Sequence, residues 1–128
     1  MGPEMATDVN HVKIAKNFYL DEFESPDTKQ VIVRPKLIYK IQQLRDWIEK
    51  ALRVNSGYRT PKHNKEIGGS RHSLHMIGAA ADVYSIYCDV ERIAHYAKIL
   101  KFGGIIIHHI ENFVHLDIRK KIYHVTKN

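Results

Sequence analysis

A single cysteine, Cys88, leaves this 128-residue chain without an internal disulfide. A lone small thiol in an apolar stretch is a packing residue, and no function is assigned to it. No apolar run approaches the roughly 20 residues that a membrane-crossing helix needs. The N-terminus lacks the apolar segment of a secretory signal. Acidic residues are the minority charge: 14 Asp and Glu stand against 20 Lys and Arg, for a formal charge of +6 and a pI near 9.4. Such an excess favours anionic partners such as nucleic acid, wall polymers or membrane surfaces. The cations are spread along the chain, however, and only Arg119-Lys120-Lys121 forms a short run. Without basic and aromatic residues interleaved, a specific nucleic-acid interface is not expected. Internal repeats and low-complexity segments are also missing.

What remains is a chain of one-domain length, 44% apolar, able to bury a core without staples. Residues 1–11 read as a flexible leader, in which Met1 to Met5 resemble an expression remnant that could have replaced a natural signal. Residues 12–128 read as the domain, and a monomer is expected. The bulky side chains of Asn17 to Phe23 are expected to pin the N-terminal arm to the core, and Ser25-Pro26-Asp27 marks a loop. Leu37, Ile38, Ile41, Leu44 and Ile48 recur at helical spacing, which predicts a helix from Pro35 to Leu52 with Trp47 beside its apolar face. Strands are expected at Leu52 to Asn55, Gly78 to Tyr84, Ile105 to His109 and Phe113 to Ile118, with an edge strand near Lys121 to Val125. A helical turn is expected at Pro61 to Glu66. A second helix, Val90 to Phe102, is expected to start at an Asp89 cap and to end at Gly103 and Gly104. This order predicts an α+β domain with a mainly antiparallel sheet and flanking helices.

Two histidines and one acid stand out: His75 and Asp82, seven apart with Gly78 and three alanines between them, and the distant His115. Two imidazoles and a carboxylate suit zinc, and such a set leaves a fourth tetrahedral position open for water, as hydrolysis requires. The seven-residue spacing is not that of two ligands on one helix. It suits a turn that delivers His75 and a strand that delivers Asp82. Along a strand, His115, Asp117 and Arg119 share a face, so Asp117 could orient a ligand from behind. His11, His63, His72, His95, His108, His109 and His124 compete for the same role on spacing alone.

A longer pattern separates them. Ser56-Gly57-Tyr58-Arg59-Thr60-Pro61-Lys62-His63-Asn64, then Ile67-Gly68-Gly69, then Ser73-Leu74-His75 with Gly78, Ala79, Ala81 and Asp82, then Phe113-Val114-His115-Leu116-Asp117-Ile118-Arg119 stand in this order. From about Asn17 to Lys121 the chain resembles the zinc D-alanyl-D-alanine carboxypeptidase family of murein peptidases. That family shares its fold with hedgehog signalling domains and with phage L-alanyl-D-glutamate endopeptidases. The resemblance implies a small hedgehog/DD-peptidase-like domain with one Zn²⁺ per chain on His75, Asp82 and His115. It implies an Arg59 that holds or polarises substrate and a Ser73 that lines the pocket, unless Ser73 only caps the turn. It further implies a metallopeptidase acting on peptidoglycan peptides at the bacterial cell wall, phage-delivered like an endolysin or exported by a signal no longer present. Relatives place an acid three positions before the last ligand, or a histidine two before it, to move the proton. Here those positions hold Asn112 and Phe113. Glu111, which on an extended strand would share the face of His115, is the favoured substitute, followed by Asp117 and His109. The alternative is a zinc-stabilised wall-binding or structural module of the same fold without turnover.

Overall fold

The computed structural model describes residues 9–128, so most of the expected leader, residues 1–8, lies outside the described part. Its last residues are tied down: Asn10 donates to Glu24 and to the Lys29 carbonyl, and His11 stacks on Tyr19. A short antiparallel pair follows, β1 (Lys13–Ala15) and β2 (Phe18–Tyr19). Phe18 and Phe23, the latter closing a 3₁₀ turn, are fully buried, as expected of an arm pinned to the core.

Helix α1 runs Pro35–Ile48, with Pro35 in its first turn and Leu37, Ile41, Leu44 and Ile48 buried on one face. It stops four residues before the predicted end because Glu49 turns left-handed, at φ 54°, and its N–H closes on the Arg45 carbonyl. Helix α2 (Pro61–Glu66) is capped by Thr60, whose hydroxyl accepts from the His63 N–H. Helix α3 (Val90–Ile99) starts, as predicted, at Asp89, which accepts from the Arg92 N–H. Its end differs from the prediction. The left-handed residue past the helix is Lys101, at φ 63°, whereas Gly103 and Gly104 lie beyond it, where the next strand begins. The smallness of Gly104 serves a different purpose, described below.

Five strands form the main sheet in the order β3-β4-β6-β5-β7: β3 (Arg53–Ser56), β4 (Ala80–Tyr84), β5 (Gly104–His108), β6 (Phe113–Asp117) and β7 (Tyr123–Lys127). Three pairings are antiparallel, and β7 lies parallel to β5 at the edge. The sheet is therefore mixed, within the α+β class expected. Side chains alternate between its faces. Ala81, Val83, Ile105, Ile107, Val114 and Leu116 point into one core with the apolar faces of α1 and α3. The opposite face carries Asp82, His115, Ile106, His108 and Asp117, and the functional groups collect there.

Candidate metal centre

Asp82 and His115 are direct cross-strand partners on β4 and β6, which fixes both on the face away from the core. His75 reaches them from a 3₁₀ turn, Leu74–Ile77. Ser73 caps that turn, its hydroxyl accepting from the His75 N–H at 3.2 Å. Gly78 ends it in the left-handed region, φ 71°, pressed against the Ile32 carbonyl, so only glycine fits there. The turn and the strand that follows thus supply His75 and Asp82 in the manner their spacing implied.

Three ligand atoms converge. His75 Nε2 lies 3.2 Å from Asp82 Oδ1, His115 Nδ1 lies 3.0 Å from the same oxygen, and the two ring nitrogens are 3.3 Å apart. Zinc–ligand bonds of about 2.0–2.1 Å at tetrahedral angles place ligand atoms about 3.3 Å from one another, so the spacing fits the ion. The far side of each ring reinforces the fit. His75 Nδ1 is 2.7 Å from the Gly57 carbonyl, which can only accept, so this nitrogen carries a hydrogen. His115 Nε2 is 2.8 Å from Asp117 Oδ2 and donates likewise. In those tautomers the rings aim two lone pairs and a carboxylate oxygen at one point, an arrangement suited to a positive centre. Among the described residues these three form the group of histidine, cysteine and acidic side chains able to hold a metal.

Asp117 sits behind His115 and is fully buried. Oδ1 accepts from the Arg119 backbone N–H and Nε, and Oδ2 accepts from Arg119 Nη2 as well as from His115. Its neighbours across the sheet are Ala80 and Gly104, and its carboxylate occupies the space a β-carbon on Gly104 would need. Burial alone would raise the Asp117 carboxyl, but the bonds from His115 and Arg119 outweigh it and hold it well below the usual carboxylate range. Asp82 behaves similarly: burial opposes ionisation, and His115 and His75 overcome it. Burial pushes His115 down, while Asp117 and Asp82 pull it up further, for a net rise.

Arg59 lines the cleft over this centre. Nε donates to Ser56 Oγ at 3.1 Å, Nη1 to Asn64 Oδ1 at 3.2 Å and Nη2 to Asp82 Oδ2 at 3.3 Å. Five guanidinium hydrogens less these three leaves two for another acceptor. The loop bearing Arg59 is fixed from below by a network absent from the sequence reading. Asp27 accepts from the Ser25 and Thr60 hydroxyls at 2.6 Å each, and Ser25 Oγ in turn accepts from the Thr60 N–H. The Ser-Pro-Asp loop signal was visible, but nothing in it pointed 33 residues ahead. Asn64 braces this loop as well: it is buried, accepts from Arg59 and donates to the Ser70 carbonyl.

The cleft has two lobes that share Arg59, Asp82 and Phe113. One, of about 500 Å³, takes in His75, His115 and His108, and Ser73 lines it while serving as the cap. The other, of about 370 Å³, takes in Glu111 and His63. Glu111 does not lie on β6. It belongs to the turn before that strand, next to a left-handed Asn112 at φ 59°, so strand parity does not place it; it reaches the rim, 68% exposed. His109 is turned to Glu91, at 2.6 Å.

Compared with known families, residues 14–117 match the family model described as Peptidase M15. The matched segment contains all three candidate ligands and the lining of both cleft lobes except Arg119 and Lys127. A comparison with curated proteins finds no match.

Proposed function

The chain belongs to the peptidase M15 family, and from that premise we propose that it is a zinc-dependent peptidase cutting peptide bonds in the stem peptides of peptidoglycan. The family is one of zinc hydrolases that act on the cell wall. The observation that carries the reading for this chain is the convergence of His75 Nε2, Asp82 Oδ1 and His115 Nδ1, with both remaining ring nitrogens engaged. A zinc ion held there supplies a Lewis acid for the scissile carbonyl and lowers the pKa of water.

The chain's own groups do the rest. Asp117 and the Gly57 carbonyl keep the two imidazoles in the tautomers that present lone pairs to the ion. The two free N–H groups of Arg59 are suited to a carbonyl or carboxylate oxygen of the substrate. Of the groups named for the proton, Asp117 is saturated by Arg119 and His115, and His109 is paired with Glu91, whereas Glu111 stands at the cleft rim, 3.6 Å from Nδ1 of His108. The basic surface suits an anionic wall polymer, and the action is assigned to the bacterial cell wall, as a carboxypeptidase or endopeptidase of endolysin type.

The test is incubation of zinc-loaded protein with purified peptidoglycan and mass analysis of what is released. D-alanine or stem-peptide fragments should appear, vanish with a chelator and return with zinc. Binding to the wall with no fragment released would establish the non-catalytic module instead.

A further inference from the structure

Resting on the peptidase reading above, we propose that His108 is the group that carries the proton in hydrolysis, entering the cleft from β5 and steered by Glu111. Phe113 stands two residues before His115 on β6. In the sheet, His108 is the cross-strand partner of Phe113. The two rings stack, 4.3 Å between centroids and 16° between planes. An imidazole from β5 therefore lies beside the strand that carries His115.

Geometry supports the role. Ile106, two residues before His108, is the partner of His115, so His108 is diagonal to His115 on the same face. Diagonal neighbours are about 7–8 Å apart at their backbones, which leaves space for a water between an imidazole and the ligand set. His108 lines the same lobe as His75, Asp82 and His115, with its side chain 20% exposed. Its Nδ1 lies 3.6 Å from Glu111 Oε1, too long for a hydrogen bond but near enough for the carboxylate to bias which nitrogen carries hydrogen. Among the described residues, Nε2 has no hydrogen-bond partner. The charged groups around it are Asp82 and Glu111, which favour the protonated ring, and Lys127 on β7 and His115, which oppose it. Burial is the largest influence and lowers its pKa, which favours the neutral ring that can accept a proton.

The step balances without another reagent. Nε2 takes one proton from the attacking water as its oxygen bonds to the scissile carbon. The same proton passes to the departing amine nitrogen as the C–N bond breaks. The ring ends neutral, and one water has been added across the peptide bond.

The experiment compares wild type, His108→Ala, His108→Gln and Glu111→Gln, all zinc-loaded, on purified peptidoglycan. The His108 variants should keep one zinc by elemental analysis and an unchanged melting temperature. Their kcat should fall roughly 10²–10⁴-fold with little change in KM. Added imidazole should restore part of the His108→Ala rate, which a packing role would not allow. Glu111→Gln should lose less than either. In ¹⁵N spectra of zinc-loaded wild type, the His108 ring signals should move when a stem tetrapeptide is added. An active wild type whose His108 variants stay within about threefold of its rate overturns this assignment alone. Loss of zinc or of folding in both variants, without imidazole rescue, overturns it in favour of packing. An inactive wild type overturns the peptidase reading and this assignment with it.

Discussion

Asp117 and Gly104 face each other across β6 and β5, and the carboxylate of the first fills the volume a side chain on the second would take. That carboxylate fixes the His115 ring from behind. Gly104→Ala must push it aside and free the ring to rotate. Metal affinity should fall on the order of 10–100-fold, the usual effect of losing a group that orients a ligand. Asp117→Asn should do the same with less disturbance of the sheet. Chelator competition measures both, and unchanged affinity in Asp117→Asn would show that the ring needs no such support.

Metal content is the most direct check on the ligand set. Protein purified without chelator should hold close to one equivalent per chain, with zinc foremost. His75→Ala and His115→Ala should each lose it, since two ligands bind far more weakly than three. Retention in both variants would move the site elsewhere in the chain.

Arg59 should prove costly to remove on two counts. It lines the cleft, so Arg59→Ala should lower turnover. It also ties Ser56 and Asn64 to Asp82 with its side chain only 14% exposed, so folding stability should drop by about 1.5–3 kcal/mol, the range for hydrogen bonds to a charged group. Urea denaturation beside kinetics separates the two. Full stability with lost turnover would confine Arg59 to the substrate.

Acid should loosen the Arg59 loop through Asp27. Hydrogen bonds from Ser25 and then Thr60 hold its carboxyl below the usual range. A depressed carboxyl contributes stability that is present above its unfolded value and lost as pH falls through its folded one. Wild type should therefore melt above Asp27→Asn near neutral pH, and the gap should close below about pH 3.9. A gap that persists unchanged into strong acid would mean that ionisation of Asp27 is irrelevant to it.

Much of this architecture is legible in the chain, because local rules act over short distances. The apolar spacing of Leu37, Ile41, Leu44 and Ile48 marks α1, Asp89 marks the start of α3, and the motif around His75 and Asp82 marks the candidate metal centre. Features set by register between distant segments are not. Gly103 and Gly104 look like a helix end, yet Gly104 is small because Asp117 needs the space. The placement of Glu111 depended on strand parity, which the left-handed Asn112 removes. His108 was one histidine among nine until the pairing of β5 with β6 set it beside Phe113. Asp27 and Thr60 stand 33 residues apart, with no pattern linking a loop acid to a helix cap.

The parallel pairing of β7 with β5 bears on how the protein can be handled. β5 contains Ile105, Ile106 and Ile107 in succession, whereas the strand that covers it, Tyr123–Lys127, is largely polar and exposed. β7 also lies beyond the segment matched to the family, which ends at residue 117. A truncation designed on that boundary would strip the cover and leave an isoleucine-rich strand with unpaired backbone groups. Such an edge recruits strands from other copies. The shortened protein should aggregate where the longer one stays dispersed, even though every candidate metal ligand is retained.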